Sequence, residues 1–252
     1  MAKPYLSVII PAYNEANRLP ITLIDVDKHL SQNEFSYEII VVNDGSSDAT
    51  SEIVRRFSTL IKNLKLIDNP FHQGRGAATR QGAFIAKGNW RVFMDADNST
   101  SIVEFNKMIP YLNPRGGHDV VIASRSIRGS RVKTIQPLGR YLLTKFGNLL
   151  SRFLLLKGIH DAQCGFKCFS EDSSKAVFGL TKTNSWAFDV EILALAQKMG
   201  YKVKEMPVFW LYGFKSRKKI SDYLKFFWEL IKIRHWIAGG RYNTETNQLV
   251  QS

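Results

Sequence analysis

Asp95-Ala96-Asp97 follows the apolar run Trp90-Arg91-Val92-Phe93-Met94. Two carboxylates one residue apart at the end of a buried strand suit a hard divalent cation that bridges a diphosphate. Without a counter-ion, such a pair holds like charges close together away from water, which is costly. The run Leu6-Ser7-Val8-Ile9-Ile10 near the N-terminus ends in Pro11-Ala12-Tyr13-Asn14-Glu15, and a third run over residues 37–43 ends at Asp44-Gly45. In an open parallel sheet, ligands collect outside the carboxyl ends of the strands, so these three sets should meet along one edge. There Tyr13 can stack on a nucleobase and Asp44 can accept from a base N–H. Taken singly, Asp44-Gly45 is equally a turn and Asp95 a helix cap. Their joint placement favours a binding edge for a metal and a nucleotide sugar.

The elements that must position these residues alternate. Strands are predicted over 5–11, 37–43, 64–68, 90–95 and 119–124, from their β-branched and apolar content. Helices are predicted over 17–32, with Asn17 as a cap and Pro20 in the first turn, over 49–60, and from Gly74 to Lys87. This order implies an α/β fold with a mostly parallel central sheet flanked by helices. Further on, 138–156 is a long apolar segment interrupted by Arg140, Lys145 and Arg152; 187–199 reads as a helix, 202–209 as a strand, and 220–238 alternates aromatic and basic positions. The expected organisation is a catalytic domain over 1–214, a basic amphipathic segment over 215–240 and a polar tail over 241–252.

The chain has 252 residues and a formal net charge of +13, which attracts something anionic: nucleic acid, anionic lipid or a phosphorylated substrate. Basic residues concentrate late, in Arg125, Arg128, Arg131, Lys133 and Arg140 with no acid among them, and in Lys215-Ser216-Arg217-Lys218-Lys219. A nucleic-acid-binding protein is the reading of another class, and the carboxylate-rich strand ends argue against it because they repel phosphate unless a cation intervenes. Cys164 and Cys168 stand alone, a weak zinc pattern, and read as reduced, partly buried thiols. Met1-Ala2-Lys3-Pro4 carries no signal-peptide pattern, and no run reaches about 18 uninterrupted apolar residues. A cytoplasmic location is therefore expected.

The strings Ser7 to Glu15, Val42-Asn43-Asp44-Gly45-Ser46-Ser47-Asp48, Gly74-Arg75-Gly76-Ala77-Ala78 and Asp95-Ala96-Asp97 together resemble family 2 glycosyltransferases of the GT-A (nucleotide-diphospho-sugar transferase) fold. A narrower resemblance, to dolichyl-phosphate sugar synthases and above all the dolichyl-phosphate β-glucosyltransferase type, rests on Ala123-Ser124-Arg125, on Asp161 to Lys167, and on Trp186-Ala187-Phe188-Asp189-Val190-Glu191. The resemblance implies that Pro11, Tyr13, Glu15 and Asp44 hold the nucleoside, with Arg75 also on the donor side. It implies that Asp95 and Asp97 hold Mg²⁺ or Mn²⁺ and the diphosphate, with Asp97 essential to catalysis, and that Arg125 and Arg140 face an acceptor phosphate. Where dolichol-mannose synthases often carry a glutamine two residues after the second aspartate, this chain has Ser99.

The implied reaction is inverting transfer of a hexose, with UDP-glucose as preferred donor, to a polyprenyl or dolichyl phosphate. GDP-mannose as donor, or a sugar hydroxyl as acceptor, are the alternatives. A phosphate monoester, with a second pKa of about 6, is already a nucleophile at neutral pH. Its site needs cations more than a base, and arginine's planar fork binds phosphate oxygens two at a time. Asp161 is the candidate carboxylate near the anomeric centre, or else it caps the turn before Gly165; Asp189 and Glu191 either reach the pocket or orient their helix. Leu142, Phe146, Leu149, Leu150 and Phe153 recur at helical spacing, as do Tyr223, Phe226, Phe227, Leu230, Ile231 and Trp236. With their interleaved cations, both sets suit a membrane surface, while packing against the sheet is the alternative and the favoured one for parts of each. The expected enzyme is thus peripheral at a cytoplasmic membrane face, reached by its own helices or through a membrane-anchored partner.

Overall fold

A computed structural model describes residues 3–112, 117–133, 138–211 and 220–242. Its central sheet has seven strands. They are β1 (Leu6–Ala12), β2 (Tyr37–Asp44), β3 (Leu64–Asn69), β4 (Trp90–Phe93), β5 (Val120–Ser124), β7 (Lys167–Ser170) and β8 (Val203–Pro207), in the order β3-β2-β1-β4-β7-β5-β8. Only β7 runs antiparallel to its neighbours β4 and β5. A separate parallel pair joins β6 (Arg131–Lys133) to β9 (Phe209–Leu211). The helices are α1 (Leu19–Leu30), α2 (Thr50–Ser58), α3 (Arg75–Ile85), the short α4 (Phe105–Met108), α5 (Leu138–Leu154), α6 (Glu171–Leu180), α7 (Phe188–Lys198) and α8 (Ile220–Ala238).

Alternation along β1 explains the layering. Leu6, Val8 and Ile10 face one core with Leu19, Leu23 and Val26 of α1, while Ile9 faces a second core with Ala78 of α3 and residues of α6, α7 and α8. Pro11 sits within β1 because β4 ends opposite Ile9. Beyond that point β1 has no strand on the β4 side, so the missing N–H of proline costs no ladder bond there.

Two expectations change here. The expected strand over 90–95 stops at Phe93, leaving Asp95 and Asp97 on the following loop. α1 is capped by Arg18 with no side-chain cap bond, not by Asn17. The boundary expected at 214–215 and the cluster Lys215–Lys219 lie outside the described residues, as does the tail beyond Tyr242. α8 itself packs on α5, and its Leu230 and Ile233 are fully buried.

Candidate active site

The carboxyl ends of β1, β2 and β4 open into a cleft of about 700 Å³. Pro11, Tyr13, Glu15, Asp44, Arg75, Asp95, Asp97 and Arg125 all line it. Asp161 does not, and Arg140 falls in the first turn of α5 with its side chain outside the described part of the structure.

At one end, Asp44 is almost wholly buried and already engaged. Its Oδ1 accepts from the backbone N–H of Gln73 and its Oδ2 from that of Gly74, each at 2.9 Å, while His72 Nδ1 lies 2.9 Å from Oδ2. A carboxylate offers about four acceptor sites, so one remains for a ligand N–H. Tyr13 stacks on His72 with ring centroids 4.0 Å apart. The turn after β2 and the strap 71–74 touch so closely that a Cβ on Gly45, at φ +67°, would meet the Phe71 carbonyl carbon at 2.4 Å. Only glycine fits that left-handed, crowded position. The segment after β1 is fastened to the same turn: Ser47 N–H donates to Asn14 Oδ1 at 2.7 Å and Glu15 N–H to Thr50 Oγ1 at 2.8 Å. A planar aromatic shelf beside a fixed, buried carboxylate is suited to a nucleobase.

At the centre stand Asp95 and Asp97, with side chains 39 % and 25 % exposed. Each is met by an arginine: Arg75 Nη2 donates to Asp95 Oδ1 at 2.9 Å, and Arg18 Nη1 lies 3.5 Å from Asp97 Oδ2. Burial, and then the charge of Asp95, raise the carboxyl pKa of Asp97 above the ordinary aspartate range. That is the signature of two carboxylates held too close for their own charges. Among the described residues no cluster of three or more acidic, histidine or cysteine ligands exists. Two carboxylates without a protein cage are the donor set of a Mg²⁺- or Mn²⁺-type ion that takes its other ligands from phosphates and water, so the residues present fit such a cation. Ser99 donates its backbone N–H to Asp97 at 3.0 Å.

On the opposite wall, Arg125 corrects one expectation. Its Nε and Nη2 grip both oxygens of Asp161 at 2.7 and 2.8 Å, and its backbone N–H adds a third bond at 2.9 Å. Asn148 Nδ2 donates to the same carboxylate at 3.2 Å. Asp161 is fully buried with its oxygens occupied, so it positions Arg125 and does not face the anomeric centre. Burial works to raise its pKa, but the arginine charge and these bonds hold it well below the ordinary range. Arg125 in turn lies 5.2 Å from the ring of Trp210. Asp189 and Glu191 also sit beneath the surface. Asp189 is shared by Arg75 and by the buried Lys167, whose Nζ donates to it at 2.6 Å. Glu191 accepts from the backbone N–H groups of Lys182 and Thr183 and from Tyr242 Oη. Cys164 and Cys168 are free and buried, more deeply than expected, and burial pushes the Cys164 thiol up to about 11.

Sequence reasoning missed Arg18, His72, Trp186 and the α8 residues Tyr223 and Lys225, all of which line the cleft. Arg18 was the findable one: it stands three residues after Glu15 across a helix start, and the two form a bidentate pair.

A parallel sheet whose strand ends present an aromatic–carboxylate shelf, a two-carboxylate centre and an anchored arginine is the architecture of a nucleotide-sugar transferase. Residues 7–178 match Glycosyl transferase family 2, and the chain belongs to that family. A dolichyl-phosphate beta-glucosyltransferase of Trichomonas vaginalis is 36 % identical over 243 residues, covering 92 % of this chain and 73 % of the relative. The Homo sapiens protein of the same name is 33 % identical over 219 residues, covering 81 % and 67 %. Among solved structures, glucosyl-3-phosphoglycerate synthase from Mycobacterium tuberculosis in complex with UDP shares the fold with a TM-score of 0.66 at 16 % identity, covering 95 % of this chain and 80 % of that one. The same synthase with Mn²⁺, UDP and phosphoglyceric acid gives 0.67 at the same identity, covering 95 % and 79 %. The fold is GT-A, and the protein is a glycosyltransferase.

Proposed function

We propose that the protein moves glucose, with inversion, from UDP-glucose to a polyprenyl phosphate of the dolichyl type. The observation that carries the acceptor half is the Arg125 clamp. A guanidinium fixed along its Nε–Nη2 edge by a buried carboxylate and backed by Trp210 is preorganised to hold phosphate with its remaining N–H groups, and it costs little reorganisation when the ligand arrives. The names of the relatives support glucose and dolichyl phosphate as the transferred group and acceptor.

Each residue then has a task. Tyr13 and Asp44 take the base, and Glu15 orients the segment beside it. A divalent cation held by Asp95 and Asp97 supplies Lewis-acid neutralisation of the leaving diphosphate. Arg75 stands at the donor side, 5.9 Å from the Trp186 ring. Arg125, positioned by Asp161, holds the acceptor phosphate so that one of its oxygens attacks the anomeric carbon as the bond to the diphosphate breaks. No carboxylate base is needed, because the phosphate monoester is already largely ionised at neutral pH.

A lipid acceptor places the work at a bilayer surface. Among the described residues no helix is long and apolar enough to cross a membrane. Two helices that reach the cleft, α5 and α8, carry exposed apolar residues with cations between them, and we assign the membrane-facing surface to these. The activity test is a matrix of UDP-glucose and GDP-mannose against dolichyl phosphate and free oligosaccharides, with Mn²⁺. Glucosylated dolichyl phosphate from UDP-glucose alone is the expected product. Transfer only to a sugar hydroxyl would overturn the acceptor assignment, and transfer only from GDP-mannose the donor assignment.

A further inference from the structure

We propose that Arg18 and Arg75 are resident cations of the metal pair. Each holds one metal-binding carboxylate while no divalent ion is present, then releases it and stays on a second carboxylate of its own, facing the diphosphate. The inference rests on the reading of Asp95 and Asp97 as the residues that hold the metal.

Both arginines are bridged in the same way. Arg75 joins Asp95 to Asp189, and Arg18 joins Asp97 to Glu15. In the Arg18 bridge the outer contact is the more extensive one: Arg18 grips Glu15 with two nitrogens, Nε at 2.6 Å, but reaches Asp97 with one at 3.5 Å. Arg75 gives one nitrogen to Asp189 and one to Asp95. The outer carboxylates are also the drier ones, with Asp189 6 % and Glu15 12 % exposed against 39 % for Asp95 and 25 % for Asp97. Water screens the inner pairs more than the outer pairs. A divalent ion competing for Asp95 and Asp97 therefore breaks the inner contacts and leaves each arginine on its outer anchor.

The Asp95 carboxylate packs beside Gly165, where a Cβ would stand 2.1 Å from Oδ2. The arginine, at the end of a longer side chain with a second anchor, is the partner that the proposal moves. The charge balance supports the order of events. Glu15, Asp95, Asp97 and Asp189 face Arg18, Arg75 and Lys167, which leaves one net negative charge. A divalent ion turns this to one net positive charge, the sign that a nucleoside diphosphate requires. The carboxylate pair is thus kept in place for the metal, and the displaced guanidinium groups then serve as phosphate donors.

The test is Mn²⁺ binding to the full chain without nucleotide, read from the electron paramagnetic resonance of free Mn²⁺, followed by calorimetric titration of UDP at saturating Mn²⁺. The variants are Arg75→Gln and Arg75→Lys, with thermal melts confirming that each is folded. A lysine keeps the charge but has a shorter reach and no planar fork, and it stays on the more buried Asp189. Exchange therefore predicts that both variants bind Mn²⁺ about fivefold more tightly, the size expected for one partly exposed ion pair, while both bind UDP more weakly. A merely structural role would weaken both affinities together. Unchanged or weaker Mn²⁺ binding in both variants overturns the proposal. So does tightening in Arg75→Gln alone, which is a simple field effect. If wild-type protein binds no Mn²⁺ even with UDP, the metal reading itself falls, and the exchange with it. Should Arg75 prove necessary for folding, Arg18→Gln and Arg18→Lys carry the same test at Asp97.

Discussion

If Arg125 holds the acceptor phosphate as proposed, Asp161 acts on transfer without touching substrate. It neutralises Arg125 and sets its plane, and the pair is buried on both sides except for the arginine edge at the cleft. Removing one member of such a pair leaves the other charge buried and uncompensated, at a cost of about 3–5 kcal/mol. Asp161→Asn should therefore lower the unfolding free energy read from urea titration by that amount at neutral pH. The sign of its pH dependence follows from the depressed pKa. The wild-type advantage is full above the ordinary aspartate value of about 3.9 and is lost as the pH falls through the lower folded-state value. The two unfolding curves should thus converge only in strong acid, and a gap that closes near neutrality would contradict the pairing. Arg125→Lys keeps a charge but forfeits the fork that Asp161 grips. We expect kcat/KM for the lipid phosphate to fall by about tenfold or more, with UDP affinity nearly unchanged. A collapse of UDP affinity instead would put Arg125 on the donor side.

At the scale of elements, the first four parallel strands were legible because their β-branched runs end in residues with obvious chemistry. β7 was not. Lys167-Cys168-Phe169-Ser170 is too short for periodicity to register, and its lysine reads as surface, although Lys167 is buried to pair with Asp189. α6, over Glu171–Leu180, was likewise passed over. The buried face of α8 was left open for the opposite reason. Apolar residues cover more than half of that helix, so spacing alone did not say which stripe packs. Tyr223, Phe226 and Leu230, for which core packing and a lipid surface were both open, are buried, and Leu224, Trp228 and Ile231 are the exposed set. The same short β7 gives a sharp prediction for the loop before it. A Cβ on Gly165 would compete with the Asp95 carboxylate for the same space. Gly165→Ala should push Asp95 out of line with Asp97 and weaken Mn²⁺-dependent UDP binding by an order of magnitude or more, with little loss of thermal stability because the displaced carboxylate is partly solvated. Unchanged binding would mean that Asp95 has room to yield.

For the whole molecule, the question is how a chain with no apolar spanning helix among its described residues meets a lipid-borne acceptor. α5 leaves Leu142, Phe146, Leu149 and Phe153 exposed, the last at 83 %, and it carries Lys145 and Arg152 but no acid. α8 adds Leu224, Trp228 and Ile231, with Lys225 and Glu229 between them and Lys232 and Arg234 just after. The two helices pack together, Phe146 against Phe227, and both contribute to the cleft through Thr144 and Tyr223. Exposed apolar residues clustered on adjacent helices are uncommon on a free surface, and the cations select an anionic lipid surface over a neutral one. On the proposed docking, each basic residue near such a surface would contribute about 1 kcal/mol, so a handful would hold the protein reversibly while the apolar residues insert. Flotation with phosphatidylserine-containing vesicles should capture the wild-type protein at low salt and less of it at high salt, as screening shortens the reach of the cations. Phe153→Ser combined with Trp228→Ser changes two exposed side chains, so the fold and UDP binding should persist while vesicle capture and transfer to membrane-embedded dolichyl phosphate fall together. Transfer to a short-chain, water-soluble polyprenyl phosphate should survive in that variant. If the wild-type protein ignores anionic vesicles at low salt, docking through α5 and α8 is wrong, and delivery of the lipid by a membrane-anchored partner becomes the reading to test.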